Sequence, residues 1–159
     1  MASIDTHLKL SGIQGEATQA DHKDEIELLS WSWGASNEAF ITGGGSGKGK
    51  AQPQALSITK LTDKASPILI KQLAMGKHLD EAKLSCAKSG DGQKDFMTIT
   101  LKEVFVTSYQ VGGSSGADLV ETVSLSFGDI EIEYKPQDAK GNLTGGVKSG
   151  WNIKDTKTR

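Results

Sequence analysis

The sequence predicts a mainly β protein: a small, closed or nearly closed β-barrel of antiparallel strands with one flanking α-helix. Three observations carry this prediction. Most apolar segments alternate with a period of two residues, and only one segment has helical spacing. The two longest strand segments are expected to bend, as strands of a closing sheet do. The 159 residues suit one domain, 1–159, with no C-terminal effector extension.

The first three predicted strands are residues 7–10, 25–34 and 55–61, and the second of them is unusual. The first strand places Leu8 and Leu10 on one face. Segment 25–34 carries large apolar side chains on both faces. Because a strand that lines one core has one apolar and one polar face, this pattern predicts a second buried surface formed with another subunit.

A long Gly-rich loop is predicted over residues 36–54. Residues 44–50 spell G-x-x-x-x-G-K, which is close to a phosphate-binding loop. Ala51 follows, however, where Mg²⁺ ligation needs Ser or Thr. The next segment reads as a strand, so no helix N-terminus is available to hold phosphate. We interpret the stretch as a surface loop.

The one predicted helix spans residues 66–76. Ser66 is its expected N-cap and Pro67 fits the first helical position. Leu69 and Leu73 lie one turn apart and are expected to pack in the core, and Gly76 is a suitable stop.

The remaining predicted strands are residues 82–87, 96–109 and 119–134, with a further strand around 147–153. The strand 119–134 is the expected hairpin partner of 96–109. Its apolar alternation shifts by one residue between Phe127 and Ile130, which predicts a β-bulge at Gly128–Asp129 and a sharp bend.

Composition and motifs give no catalytic, cofactor or metal site. A formal net charge of −2 gives no attraction to nucleic acid and no reason for direct membrane insertion. The three histidines lack metal-ligand spacing and are expected at the surface, and the lone Cys86 is expected to be a core thiol. We therefore predict a protein that is not an enzyme. The first residues lack the features of a cleaved signal peptide.

Several segments together resemble one known family, the haemolysin co-regulated protein (Hcp) family. They are Gly12-Ile13-Gln14-Gly15-Glu16, His22, Glu25-Ile26, Trp31-Ser32-Trp33-Gly34, Ile58-Thr59-Lys60, Asp63-Lys64-Ala65-Ser66-Pro67, Gly76-Lys77-His78, Ile99-Thr100-Leu101-Lys102-Glu103-Val104, Gly112-Gly113, Glu121, Tyr134-Lys135-Pro136-Gln137 and Gly150-Trp151-Asn152-Ile153. The resemblance covers essentially the whole chain, in order.

The resemblance implies a structural subunit of the inner tube of the type VI secretion system. Hexameric rings stack into a tube, and the ring lumen carries and stabilises effector toxins. The implied partners are further copies of the chain, the effectors, a VgrG-type spike protein, the contractile sheath and the baseplate. The subunit would be cytoplasmic before assembly and then secreted through the type VI machine.

Positions within the W-S-W-G segment can be assigned to expected roles. Trp31 and Trp33 share one strand face and are expected to pack in the core, so Ser32 and Ser30 lie on the other face. The resemblance implies that this second face lines the lumen. Ile26 and Leu28 share parity with Ser32 and must then be covered elsewhere or twist away.

The glycine-rich stretch is expected to contact an adjacent subunit or the next ring. Its residues are Gly43, Gly44, Gly45, Ser46, Gly47 and Lys48. Two alternatives remain open from sequence. The first is the tail-tube subunit of a phage or phage-like contractile particle, and the second is a monomeric ligand-binding barrel.

Overall fold

The computed structural model describes residues 3–38, 50–88 and 94–159. Within these ranges the chain is mainly antiparallel β with one α-helix, as predicted. The strands are β1 (Ile4–Leu10), β2 (Ile26–Glu27), β3 (Ser30–Ser32), β4 (Ala35–Asn37), β5 (Ala51–Pro53), β6 (Leu56–Leu61), β7 (Leu79–Lys88), β8 (Asp95–Gly112), β9 (Val120–Ser126), β10 (Asp129–Tyr134), β11 (Val147–Asn152) and β12 (Lys157–Thr158); the helix is α1 (Ser66–Met75). Closure into a barrel and the single-domain organisation stay predictions.

Strand β8, 18 residues long, belongs to two sheets. One sheet runs β12-β11-β10-β8-β7-β1-β2 and the other runs β3-β6-β9-β8. The first half of β8 pairs with β7 and β10, and its second half pairs with β9. The core lies between the sheets and includes Leu8, Ile58, Leu84, Ile99, Val123 and Leu125.

The predicted pairing of the two long segments is confirmed, but the proposed bulge is wrong. Lys102 pairs with Asp129 and Phe105 with Ser126, so β8 and the β9–β10 segment form one antiparallel hairpin. Instead of a bulge, the strand stops after β9 and restarts at β10, and Gly128 lies in the gap. The Gly128 N–H donates to the Lys102 carbonyl at 2.9 Å. A side chain at Gly128 would come close to the Glu103 side chain, which would have to shift to make room.

The predicted strand over residues 25–34 is wrong, because the segment passes from one sheet to the other. β2 pairs with β1, whereas β3 pairs with β6. Between them, the Leu28 N–H donates to the Thr6 carbonyl at 3.0 Å and the Leu29 N–H donates to the Thr59 carbonyl at 2.8 Å. This change of sheet explains the apolar residues on both faces, since Leu28 is buried in the core while Leu29 is 57% exposed.

The helix forms where predicted, but two of its assigned residues have other positions. Ala65, not Ser66, is the N-cap, because the Ser66 side chain is buried in a polar network. Gly76 ends the helix with φ 64°. Leu69 is fully buried in the core, whereas Leu73 is 37% exposed and does not pack in the core as expected. The buried residues of α1 are Ser66 and Leu69.

The predicted loop over residues 36–54 is ordered at both ends. β4 and β5 form an antiparallel pair in which Asn37 opposes Ala51. The segment after Ala51 is therefore a strand, as expected from the mismatch with a phosphate-binding loop. The glycine-rich residues 43–48 lie outside the described ranges.

Candidate functional site

The outward face of the β3-β6-β9-β8 sheet carries mostly short polar side chains, bordered by the exposed apolar pair Leu61 and Val120. The three strand registers align them in two rows: Ser32, Ser57, Ser124 and Ser108, and beside them Ser30, Thr59, Thr122 and Gln110. We call these eight residues the hydroxyl face. All are exposed or half-buried, while the alternating positions, such as Ile58 and Val123, are fully buried. The predicted residues Ser30 and Ser32 therefore belong to a surface four strands wide.

The hydroxyl face contains no charged group. The charged residues in β3, β6, β9 and the second half of β8 are Lys60 and Glu121, and both point inward with no exposed surface. Exposed strands in a protein with 24% charged residues would ordinarily present some of them to solvent. The result is a broad surface of hydrogen-bond donors and acceptors without an electrostatic preference for either sign of charge.

Behind the hydroxyl face, Lys60 and Glu121 form a buried ion pair. Lys60 Nζ lies 2.8 Å from Glu121 Oε1 and 2.8 Å from Asp63 Oδ1. The Ser66 hydroxyl donates to Glu121 Oε1 at 2.9 Å. The hydroxyls of Thr62 and Tyr109 donate to Glu121 Oε2 at 2.8 and 2.6 Å. This network joins β6, β8 and β9 to the start of α1, so it fixes the helix against the inner side of the sheet.

The network sets the protonation states of Glu121 and Tyr109. Burial would raise the pKa of Glu121, but hydrogen bonds from Lys60, Tyr109, Ser66 and Thr62 outweigh it and lower that pKa. Burial, reinforced by the adjacent Glu121 carboxylate, raises the pKa of Tyr109 to about 12. The phenol therefore stays protonated and donates to the carboxylate at neutral pH.

Sequence reasoning missed this network, although a signal for it was present. Lys60 shares strand parity with the core residues Leu56 and Ile58, and Glu121 shares parity with Val123 and Leu125. A charged residue in the apolar phase of a strand needs a buried partner, and two such residues on neighbouring strands predict one another.

The expectation of surface histidines is wrong for two of the three. His7 and His22 are buried, and their rings stack with centroids 4.6 Å apart. His22 Nδ1 lies 2.9 Å from Glu25 Oε1, and its Nε2 lies 2.9 Å from Asp95 Oδ1. His22 thus joins the segment that covers β1 to the start of β8. Sequence spacing could not show this, because His22 and Asp95 are far apart in the chain.

The two stacked histidines have pKa values shifted in opposite directions. Burial disfavours the charged form of His22, but the hydrogen bonds that its ring nitrogens donate to the Glu25 and Asp95 carboxylates outweigh burial and raise the His22 pKa. Burial, together with the neighbouring His22 charge, lowers the pKa of His7. His22 therefore holds the positive charge of the pair.

The raised His22 pKa predicts a pH-dependent stability. The contribution of His22 is complete below the unfolded-state pKa of about 6.5 and is lost as the pH rises through the folded-state pKa. We expect the free energy of unfolding, measured by urea titration, to fall as the pH rises above about 6.5 and through the raised His22 pKa. His7 contributes little to this fall, because its pKa is lowered and it is already neutral in that range. His22→Gln should remove the fall and the exposed-site control His78→Gln should keep it; an equal fall in His22→Gln would contradict the assignment.

The remaining predicted residues lie as follows. Trp31 and Trp33 are half-buried against the core, and the Trp33 indole N–H donates to the Gln54 carbonyl at 2.8 Å. Cys86 is buried, and burial raises the pKa of its thiol, which disfavours the reactive thiolate. Among the described residues, no group of three or more His, Cys, Asp or Glu side chains is placed to hold a metal ion. In the same ranges, no helix is long and apolar enough to cross a membrane.

Comparison with known proteins places these features in a class and then in a family. Residues 7–134 match the family model described as "Type VI secretion system effector, Hcp". The chain is therefore a type VI secretion protein with a β-sheet fold. The chain belongs to the Hcp family, and the resemblance drawn from its motifs is confirmed.

Individual relatives cover the chain almost completely. Protein hcp1 of Pseudomonas aeruginosa is 44% identical over 156 residues, 96% of each chain. Hcp1 from Salmonella typhimurium is 32% identical with a TM-score of 0.83 over the full length of both chains. A solved type six secretion system protein is 31% identical with a TM-score of 0.93 and covers 99% of this chain and all of its own.

Proposed function

We propose that this chain is the subunit of a hexameric ring that stacks into the inner tube of the type VI secretion system, with the hydroxyl face lining the lumen. The observation that carries the proposal is the hydroxyl face itself, a four-strand surface without charge in a chain of otherwise ordinary charge content. Such a wall can pass or hold effector proteins of either charge through weak hydrogen bonds.

The strand edges on either side of the hydroxyl face support ring closure. Among the described residues, β3 pairs with β6 alone and the second half of β8 pairs with β9 alone, so the sheet has an open edge on each side. Neighbouring strands in this sheet are all antiparallel. The β8 edge of one copy therefore runs antiparallel to the β3 edge of the next. Repeated head-to-tail, this contact continues one sheet around a ring and leaves no free edge.

The oligomeric state of the full-length protein tests this proposal. We expect native mass spectrometry to give six copies at micromolar concentration, and electron micrographs of the same sample to show rings with a central pore. The hydroxyl face would then be continuous around the pore. A monomer that persists at high micromolar concentration would contradict the proposed function.

A further inference from the structure

Two apolar surfaces, one on α1 and one beside Trp33, have no partner within the described residues. The first, the α1 flank, is formed by Ile70 and Leu73, which are 47% and 37% exposed. The second, the tryptophan groove, has a volume of about 980 Å³ and is lined by Trp33, which follows β3, and by residues of β10, β11 and β12. Its apolar lining residues are Trp33, Ala51, Ile130, Ile132 and Trp151.

The α1 flank and Ile68 lie on different sides of the helix. At 100° per residue, Ile70 and Leu73 lie on the opposite side of the core-facing residue Leu69 from Ile68. Ile68 lines a separate surface with Lys9 and Ile13, next to the end of β1. α1 contacts β8, and Ile68 lies with residues next to the end of β1, so we infer that the flank of Ile70 and Leu73 lies beside the open edge of β8.

We propose that the α1 flank of one copy seats in the tryptophan groove of the next copy around the ring. The proposal rests on the ring of the proposed function and assigns its side-chain contact. Edge pairing of β8 with a neighbouring β3 carries α1 towards Trp33, which follows β3 directly. One convex and one concave apolar surface, separated on the same molecule, form a head-to-tail contact that can close into a ring.

The strand registers place both surfaces at the same level of the sheet. Ser32, the last residue of β3, aligns through Ser57 and Ser124 with Ser108 on β8. Trp33 therefore lies level with the residues just before Ser108. The last turn of α1 is at this level too, because the chain leaves the helix at Gly76 and reaches Leu79, which pairs with Val104.

The chemistry of the groove fits an aliphatic helix flank. Trp33 and Trp151 provide large rigid surfaces of the kind that dominates binding energy at interfaces. Lys50 and Arg159 also line the groove, and Arg159 is already paired with Asp129 through two hydrogen bonds of 2.7 Å. The α1 flank supplies the apolar surface that the two tryptophans can cover.

Charge substitutions on the two sides of α1 separate this contact from general effects on the helix. We expect Leu73→Glu to weaken ring assembly by at least about 10-fold in dissociation constant, because a carboxylate cannot be buried against two tryptophans without loss. Ile68→Glu is the matched control, with the same helix and similar exposure, 40% against 37%, but on the other side. Sedimentation velocity measures assembly. Circular dichroism checks that both monomers keep their fold.

A disulfide trap tests the contact directly. In a Cys86→Ala background, Leu73→Cys and Ser149→Cys place one thiol on the flank and one beside the groove, since Ser149 lines it. Oxidised rings should give covalent ladders up to six chains on a denaturing gel. Ile68→Cys with Ser149→Cys should give none.

The outcomes separate this inference from the proposed function. A monomeric wild-type protein would overturn the ring and with it the contact. Wild-type rings in which Leu73→Glu behaves like Ile68→Glu would overturn the contact alone. Cross-links that form in stacked tubes but not in isolated rings would place the groove between rings, which also contradicts the inference.

Discussion

Glu121→Leu is expected to lower the free energy of unfolding by about 3–5 kcal/mol, because it leaves the Lys60 ammonium group buried without its main partner. Lys60 has no exposed surface, and among the described residues only Asp63 and the Ser66 hydroxyl would remain within reach. The start of α1 would lose its connection to β9. Urea denaturation of the purified protein measures the change.

Two further variants separate burial of charge from loss of attraction. The double variant Lys60→Met with Glu121→Leu should recover part of the loss, since neither charge of the pair is then left unpaired, although Asp63 loses its contact with Lys60. Lys148→Gln is the surface control. It breaks an exposed pair with Glu131 at 3.7 Å and should cost less than about 1 kcal/mol. A small effect of Glu121→Leu, similar to that of Lys148→Gln, would contradict a structural role for the pair.

In the proposed ring, Ser32→Glu is expected to leave assembly intact but to reduce retention of an effector protein by at least about 10-fold, since each ring would then carry a belt of carboxylates in its lumen. Ser32 is exposed on the hydroxyl face. Co-purification of a tagged effector with the rings measures retention, and electron micrographs of the same sample measure assembly.

Two matched variants decide the reason for that loss. Ser36→Glu introduces the same charge at an exposed serine on β4, outside the hydroxyl face, and should retain the effector. Ser32→Lys reverses the sign: equal loss indicates bulk in the lumen, whereas loss with only one sign indicates charge. If Ser32→Glu abolishes the rings themselves, Ser32 belongs to an interface between subunits and not to a lumen wall.

The sequence predicts much of the fold, because strand alternation and helical spacing are local. The one helix, the antiparallel class and the long hairpin follow from residues that are close in the chain. The failures occur where a tertiary contact overrides the local pattern. Segment 25–34 reads as one strand, but it changes sheets at Leu28 and Leu29. Ser66 reads as a helix cap, but the buried Lys60–Glu121 pair uses its hydroxyl instead.

The candidate site is predicted only in part for the same reason. Ser30 and Ser32 are assigned to an outward face from the parity of the W-S-W-G segment. The other six residues of the hydroxyl face come from three further strands, and their alignment depends on registers that no single strand specifies. The stacked histidines are likewise invisible, since Asp95 reaches His22 only through the fold.

The measurement that tests the central claim most directly is a cryo-electron microscopy map of the assembled rings at side-chain resolution. We expect the hydroxyl face to line the pore, with the serine row of Ser32, Ser57, Ser124 and Ser108 continuing from each copy to the next across the β8 and β3 edges. A ring whose pore is lined by another face, with the hydroxyl face turned outward, would contradict this account.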